Sequence, residues 1–377
     1  MAAQPLDPDG LLVPVPFSAL AGWDGDDPAL ALVAFSRGVL PDRRARPPVA
    51  RLLPEAGPVL DRLTADARSL LAIGPVPGGI ARSFFERFFQ PFRIGAAKGG
   101  FLTGYYEPEL PAARERSARF SVPLLMPPPG LEAIAAGTAP EDFPPGRTAG
   151  QRVDGRLVPL PARAEIEAGA LGDQAPPLVY LESPVDAFFV HVQGAARLRL
   201  EDGSVLRVGF AGRNGWPYTA IGRVLVERGV ARPEELTADR LRARLQADPV
   251  AGQALMHENR SFIFFRAVDE VPADAGPPGT AGVALTPGRS LAVDPAFVPL
   301  GSPMFFAADL PTADGAEVPT TRLAVAQDTG SAIKGAARAD LFVGSGTEAG
   351  LIAGRMRQSA TFTLLVPTAL VREAQNG

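Results

Sequence analysis

A chain of 377 residues with 40 Gly, 40 Pro, two His and no Cys excludes several chemistries at once. Without Cys there is no disulfide framework, no Cys-based zinc or iron–sulfur site, no thiol nucleophile and no Cys to carry a lipid. His191 and His257 lie far apart and outside any HExxH or HxH pattern, which excludes a His-rich metal centre; a net charge of −4 gives no general pull toward nucleic acid or anionic membrane. The 41 carboxylates are left as the main source of acid–base chemistry.

The length predicts two domains, or one large domain with an insertion. At 46% hydrophobic and 21% charged residues the chain can bury real cores. Gly and Pro together make about a fifth of it, near twice ordinary usage. Among the 37 basic residues only Lys98 and Lys334 are lysines. No apolar run approaches the roughly 18 residues of a membrane-spanning helix. The N-terminal MAAQPLDPDG carries acids where a secretory signal has a basic and then an apolar stretch. It reads either as cytoplasmic or as a chain whose leader has been removed.

The first hundred residues read as helical. DDPALALVAFSRG offers Asp27 as N-cap, Pro28 at the first helical position and Gly38 as a stop. Helical spacing recurs in VLDRLTADARSLLAI and in IARSFFERFF before Pro91. Around residue 100 the pattern changes to short strands bounded by Gly and Pro: FLTGYY, RFSVPLL and PLVYLE. The Pro- and Gly-rich stretch from about 126 to 176 is expected to be flexible or inserted. RLRLEDGSVLRV alternates around Asp202-Gly203, a strong hairpin signal. Two helices are expected next, YTAIGRVLVERG and LTADRLRARLQAD, the second capped by Thr237. From about 260 strands dominate: SFIFFRAV, VALTPG, SLAVDP, MFFAA, RLAVAQD, ADLFVG and TFTLLVP, with one helical stretch, EAGLIAGRMR, between. PADAGPPGTAG reads as an exposed loop. Many short strands of this kind predict a closed barrel rather than an open parallel sheet.

Three aspartates stand at the ends of apolar strand-like runs beside Gly or Pro: Asp294 in SLAVDPAFVPLG, Asp328 in LAVAQDTGSAIKG and Asp340 in AARADLFVGSG. Carboxylates so placed can face a groove; each can equally be a turn-forming Asp bonding its own backbone.

GYYEP at 104–108, YLESPVDAFFVHVQGAARL from 180, VGFAGRNGWPYTAIGRVLVERG from 208, NRSFIFF from 259, SLAVDPAFVPLGSPMFF from 290 and AQDTGSAIKGAARADLFVGSGTEAGLIAGRM from 326 resemble, in the same order, the lytic murein transglycosylase A family. The resemblance runs from about residue 75 to the C-terminus, and its last part is similar to the three-aspartate (3D) domain. It implies a mainly β fold with a helical N-terminal segment. A discontinuous double-psi β-barrel (1–106 and 267–377) would carry the catalytic groups. A smaller β-barrel-like domain (107–266) would be inserted for substrate binding, with a groove between the two. It further implies a peptidoglycan lyase. Such an enzyme cleaves the β-1,4 bond between N-acetylmuramic acid and N-acetylglucosamine without water, the muramyl C6 hydroxyl closing a 1,6-anhydro ring. One carboxyl then suffices where ordinary glycosidases need two, and it must start protonated.

By the same resemblance the catalytic Asp is Asp340, with Asp328 as its partner, raising its pKa or orienting it, and Asp294 holds a loop or a sugar hydroxyl. Tyr105 and Tyr106 are expected to stack on sugar rings or to be a strand pair with one ring in the core, and Glu107 to be a substrate contact. Arg213, Asn214 and Trp216 in GRNGWPYT are glycan contacts or form a plain Asn-Gly turn with a hydrophobic plug. Gln193 fits a substrate-facing position, and Lys334 is a solvated loop charge or a contact to peptide or N-acetyl groups. His191 and His257 are expected to be structural, and the 21 Phe to be core. No metal or cofactor and no nucleic-acid partner is implied. The expected partner is the peptidoglycan glycan strand, with association to the outer membrane or cell-wall machinery, and the protein is expected to be a monomer. With no Cys for a lipid, a soluble periplasmic form is favoured. Two other classes compete. A non-catalytic, expansin-like wall-binding module needs the groove but no protonated Asp. An aspartic protease would read Asp328-Thr329-Gly330-Ser331 as its DTGS; the motif occurs once, so the protease would have to be a symmetric dimer.

Overall fold

A computed structural model describes residues 7, 10–40, 50–95, 99–135, 137–232, 236–269, 271–272 and 275–376. The chain divides into two compact units: residues 1–106, 271–344 and 348–377 in one, and residues 107–270 with 345–347 in the other.

The first unit begins with the short strand β1 (Leu12–Pro14) and helices α1 (Ala29–Arg37), α2 (Ala56–Leu71) and α3 (Gly78–Phe88). Asp27 Oδ1 accepts from the N–H of Ala29, and α1 stops at Gly38, whose φ of 68° only glycine adopts without strain. The helices bury one face each. Phe35, Phe84, Phe85 and Phe89 meet edge to face there, with Phe35 and Phe85 essentially sealed from solvent. Trp23 is buried beside Phe305, and its indole N–H donates to Glu86. Strands β2 (Phe89–Ile94) and β3 (Gly100–Glu107) follow.

The second unit contains β4 (Glu109–Ala113), β5 (Val122–Leu125), β6 (Leu131–Ala133), β7 (Ala149–Val153), β8 (Arg156–Val158), β9 (Pro177–Leu181), β10 (Ala195–Leu200), β11 (Val205–Arg213) and β12 (Ile263–Ala267). Six of them form a sheet in the order β12-β11-β10-β4-β9-β5, and β6-β7-β8 form a small sheet of their own. The edge strands β12 and β5 come within 8 Å of each other (Cα–Cα), so the larger sheet curls back on itself. The stretch 126–176, expected to be flexible or inserted, supplies the three-stranded sheet, and Gly150 within it is packed so closely that a Cβ would lie 2.9 Å from Phe143. Helices α4 (Arg163–Glu167), α5 (Pro184–Gln193), α6 (Ile221–Glu227), α7 (Ala238–Ala247) and α8 (Pro249–His257) complete the unit. The hairpin turn at Asp202-Gly203 is present, with Gly203 at φ 82°, and Thr237 caps α7. Helix α5 was not anticipated, although Ser183 caps it and Pro184 opens it. His191 is buried at its end against Phe262 and Phe265, and burial holds its pKa well below the ordinary value.

Back in the first unit come β13 (Ser290–Val293), β14 (Pro303–Pro311), β15 (Glu317–Thr329), β16 (Arg338–Ser345), helix α9 (Gly346–Arg355), β17 (Arg357–Pro367) and helix α10 (Thr368–Asn376). The sheet order β17-β14-β15-β13-β16-β3 closes through a further pairing of β17 with β3, giving a six-stranded barrel to which β2 and β1 are added. The fold is therefore mainly β with helices at its start, as the strand-rich sequence predicts. VALTPG forms no strand; residues 284 and 278 make an isolated bridge. Leucines, valines and phenylalanines of the barrel, including Phe306, Leu323 and Leu364, join those of α1–α3 in one core.

Candidate active site

The barrel aligns two of the three aspartates. β13 runs parallel to β15 on one side and antiparallel to β16 on the other, and Ala292 pairs with Asp328 across the first and with Asp340 across the second. A register shift between Leu291 and Ala292 carries the pairing past Gln327, so that Asp328 comes level with Ala292. Gln327 stays in the core, accepting from Ser290 Oγ and donating to the carbonyl of Ala34. In-register neighbours show their side chains to one face of a sheet, so the two carboxylates share one face two strands apart.

Their surroundings differ. Asp328 Oδ1 accepts from Thr280 N, Thr280 Oγ1 and Thr329 N, each at 2.9 Å. Its Oδ2 accepts from the Tyr105 hydroxyl at 2.9 Å. Burial raises the Asp328 pKa above the ordinary carboxylate value, against the pull of these donors. Tyr105, packed on Phe342, is raised well above a free tyrosine by burial and by the Asp328 charge. Among the described residues Asp340 is met by long contacts of 3.4 Å from the two terminal nitrogens of Arg338, which are also engaged by Thr103 Oγ1 and the Ala339 carbonyl. Burial pushes the Asp340 carboxyl up to about 6; Arg338 pulls it down and the Asp328 charge adds to the rise. The barrel thus holds one carboxyl met by four hydrogen-bond donors and, on the same face, one loosely held carboxyl pushed up to about 6.

Asp294 has a different task. Its carboxylate accepts from Ala296 N at 3.1 Å and Gly335 N at 2.8 Å, which ties the 330–337 loop to the end of β13. Lys334 in that loop is exposed. Tyr106 is half-buried, its ring lying where a Cβ on Gly350 of α9 would be 2.8 Å away.

Within the second unit the expected contacts separate. Glu107 is not open to a ligand: it is wholly buried, receives Arg207 Nε at 2.7 Å and Ser345 Oγ at 2.7 Å, and is raised above its ordinary pKa by burial. Asn214 is likewise sealed; its amide donates to the carbonyls of Pro161 and Arg260 and its oxygen accepts from Phe262 N, fixing a turn whose Gly215 has φ 81°. The guanidiniums of Arg147 and Arg260 lie 3.2 and 3.4 Å from the ring centre of the half-buried Trp216, whose indole N–H donates to the Leu160 carbonyl. Of the two readings of GRNGWPYT, the buried turn fits the surroundings of Asn214. Arg213 is half-buried at the end of β11 over Phe210, and Gln193 is half-buried at the end of α5.

Residues that the sequence did not single out complete the barrel site: Thr280, Arg338 and Thr103. Thr280 belongs to the loop read as exposed, yet Gly276 and Pro277 in it are buried. A loop rich in Gly and Pro gives no local sign that it folds back onto a strand.

The chain is similar to known families and structures. The family described as "MltA specific insert domain" matches residues 101–266, and that described as "3D domain" matches residues 289–366. The membrane-bound lytic murein transglycosylase A of Vibrio cholerae is 37% identical over 202 residues, 52% of this chain and 53% of that protein. The chain thus spans about half the length of that curated relative. The crystal structure of a membrane-bound lytic murein transglycosylase from Agrobacterium tumefaciens superposes with a TM-score of 0.82 at 35% identity, covering 96% of this chain and 99% of that one. That of Escherichia coli MltA with bound chitohexaose gives 0.63 at 25% identity, covering 97% and 95%.

Proposed function

The chain belongs to the lytic murein transglycosylase A family, and from that premise we propose that it cleaves the β-1,4 bond between N-acetylmuramic acid and N-acetylglucosamine in peptidoglycan, as a carbon–oxygen lyase. The observation that carries the proposal is Asp340: a carboxyl raised to about 6 by burial, beside a carboxylate held by four donors. Asp340 gives its proton to the glycosidic oxygen as the C1–O bond breaks. The muramyl C6 hydroxyl then bonds to C1 and returns its proton to Asp340, which ends as it began. No water is consumed, and the product ends in a 1,6-anhydro ring. Tyr105, Tyr106, Gln193, Arg213 and Lys334 are the proposed glycan contacts, and glycan strands the proposed partner, in the periplasm. The crystal structure of the E. coli relative holds bound chitohexaose. Among the described residues no helix is long and apolar enough to cross a membrane. Neither the expansin-like module nor the dimeric protease is favoured by the relatives.

Mass spectrometry of digested sacculi tests the activity: anhydromuropeptides are expected, and products with reducing ends alone would overturn it. The pH profile tests the acid. Because Asp340 must start protonated, the rate of muropeptide release is expected to fall tenfold per pH unit above about 6. A rate that stays level to pH 9 would remove Asp340 from the role.

A further inference from the structure

Two buried carboxyls share one face of the barrel, and the reaction needs the proton on a particular one. The hydrogen bonds around Asp328 decide the matter. Two of the three donors on its Oδ1, the N–H groups of Thr280 and Thr329, cannot reverse to accept a proton. The third, Thr280 Oγ1, is itself 2.8 Å from Thr329 Oγ1, which can donate to it and leave its own proton aimed at Asp328. The loop is laid directly on the strand: Ala281 N donates to the carbonyl of Gln327, and a Cβ on Gly279 would stand 2.5 Å from that oxygen and 3.2 Å from Asp328 Cβ. Only glycine at 279 lets Thr280 approach this closely.

We propose that Thr280 is a positioning residue for the lytic reaction: it keeps Asp328 the ionised member of the pair, so that the single shared proton rests on Asp340. The inference takes its catalytic meaning from the lytic reading. The charged and titratable groups around the pair, among the described residues, are Tyr105 from β3 against Asp328 and Arg338 from β16 against Asp340. Neither can replace Thr280. Tyr105 reaches only Oδ2, where its hydroxyl can turn to accept, and Arg338 touches the other carboxyl.

Thr280→Val removes one hydrogen bond to a charged group and keeps the backbone donor. The expected result is a narrower pH–rate bell. Its acid-side limb, which reports protonation of Asp328 in the pair, moves up by about one pH unit, while the alkaline limb stays or rises slightly. Thr280→Ser keeps the hydroxyl and is expected to restore the wild-type profile. An acid limb that does not move in Thr280→Val, with the rate lowered evenly at all pH values, overturns the proposal. Should that variant fail to fold, Thr329→Val, which removes the hydroxyl partner of Thr280 Oγ1, is expected to move the same limb by less, and no movement there overturns it equally. A carbon-13 NMR titration of protein labelled at the aspartate carboxyls gives the same answer without substrate. The lower of the two coupled titrations, identified by its loss in Asp328→Asn, is expected to rise in Thr280→Val and to stay put if Thr280 is merely structural. This titration is independent of turnover, so its failure is distinct from a failure of the lytic reading, which the product analysis tests.

Discussion

Asp340→Asn is expected to release no anhydromuropeptides from sacculi, a loss of roughly three to four orders of magnitude, while glycan binding persists. The amide fills the same space but has no proton to give at pH 5 or 6, and the same atom pair is needed twice, first as acid and then as base. A variant that releases product at near wild-type rate would remove Asp340 from the mechanism. The same substitution carries a prediction about stability. A carboxyl raised from 3.8 to about 6 in the native state binds its proton more tightly folded than unfolded, so its contribution to stability is present at low pH and is lost as pH rises from about 4 to 6. At pH 7 the charged form costs the fold up to about 3 kcal/mol. Asn carries no charge there, so the variant is expected to melt higher than the wild type at pH 7, with the gap closing by pH 4. The inactive protein would be the more stable one, as expected where a site holds a charge that its surroundings disfavour.

Arg207→Met is expected to cost the second unit about 3–5 kcal/mol, a fall in its melting temperature of roughly 10 °C. Arg207 and Glu107 form a sealed ion pair, with Ser345 as the third member. Removing the guanidinium leaves the buried carboxylate, among the described residues, with the Ser345 hydroxyl and the field of Arg197 to offset its lost hydration. The Met side chain fills most of the vacated volume, which isolates the electrostatic loss from a cavity effect. Combining it with Glu107→Leu is expected to recover most of the loss, since apolar replacement of a whole buried pair is often neutral. A single variant as stable as the wild type in thermal melts would show that water reaches the pair.

How much of this was legible in the sequence depends on how local the signal is. The Asp202-Gly203 hairpin and the Thr237 cap are decided within a few residues, and both are present. Helix α5 carried equally local signals in Ser183 and Pro184, but its run of Val, Phe and His follows directly on a β-rich stretch and lacks an alternating polar face. The barrel site is not local at all. Asp328 and Asp340 become neighbours only because β13 lies between their strands, and a one-residue shift in register selects Asp328 over Gln327. Family resemblance could pick out the aspartates; it gave no hint of Thr280, whose loop reads as exposed by composition. Glu107 and Asn214 differ the other way. Polar residues in a glycan-binding pattern look like ligand contacts, and only their burial and their internal partners show them sealed in the fold.

The two arginines on Trp216 have an optical consequence. The chain has two tryptophans, Trp23 in the first unit and Trp216 in the second, so its intrinsic fluorescence divides between the units without any label. Trp216 lies beside two positive charges that concentrate iodide and repel caesium, whereas Trp23 is sealed from both. A chain carrying Trp23→Phe reports only the second unit's unfolding, and one carrying Trp216→Phe only the first's. The melting of each half can therefore be followed by its own lamp.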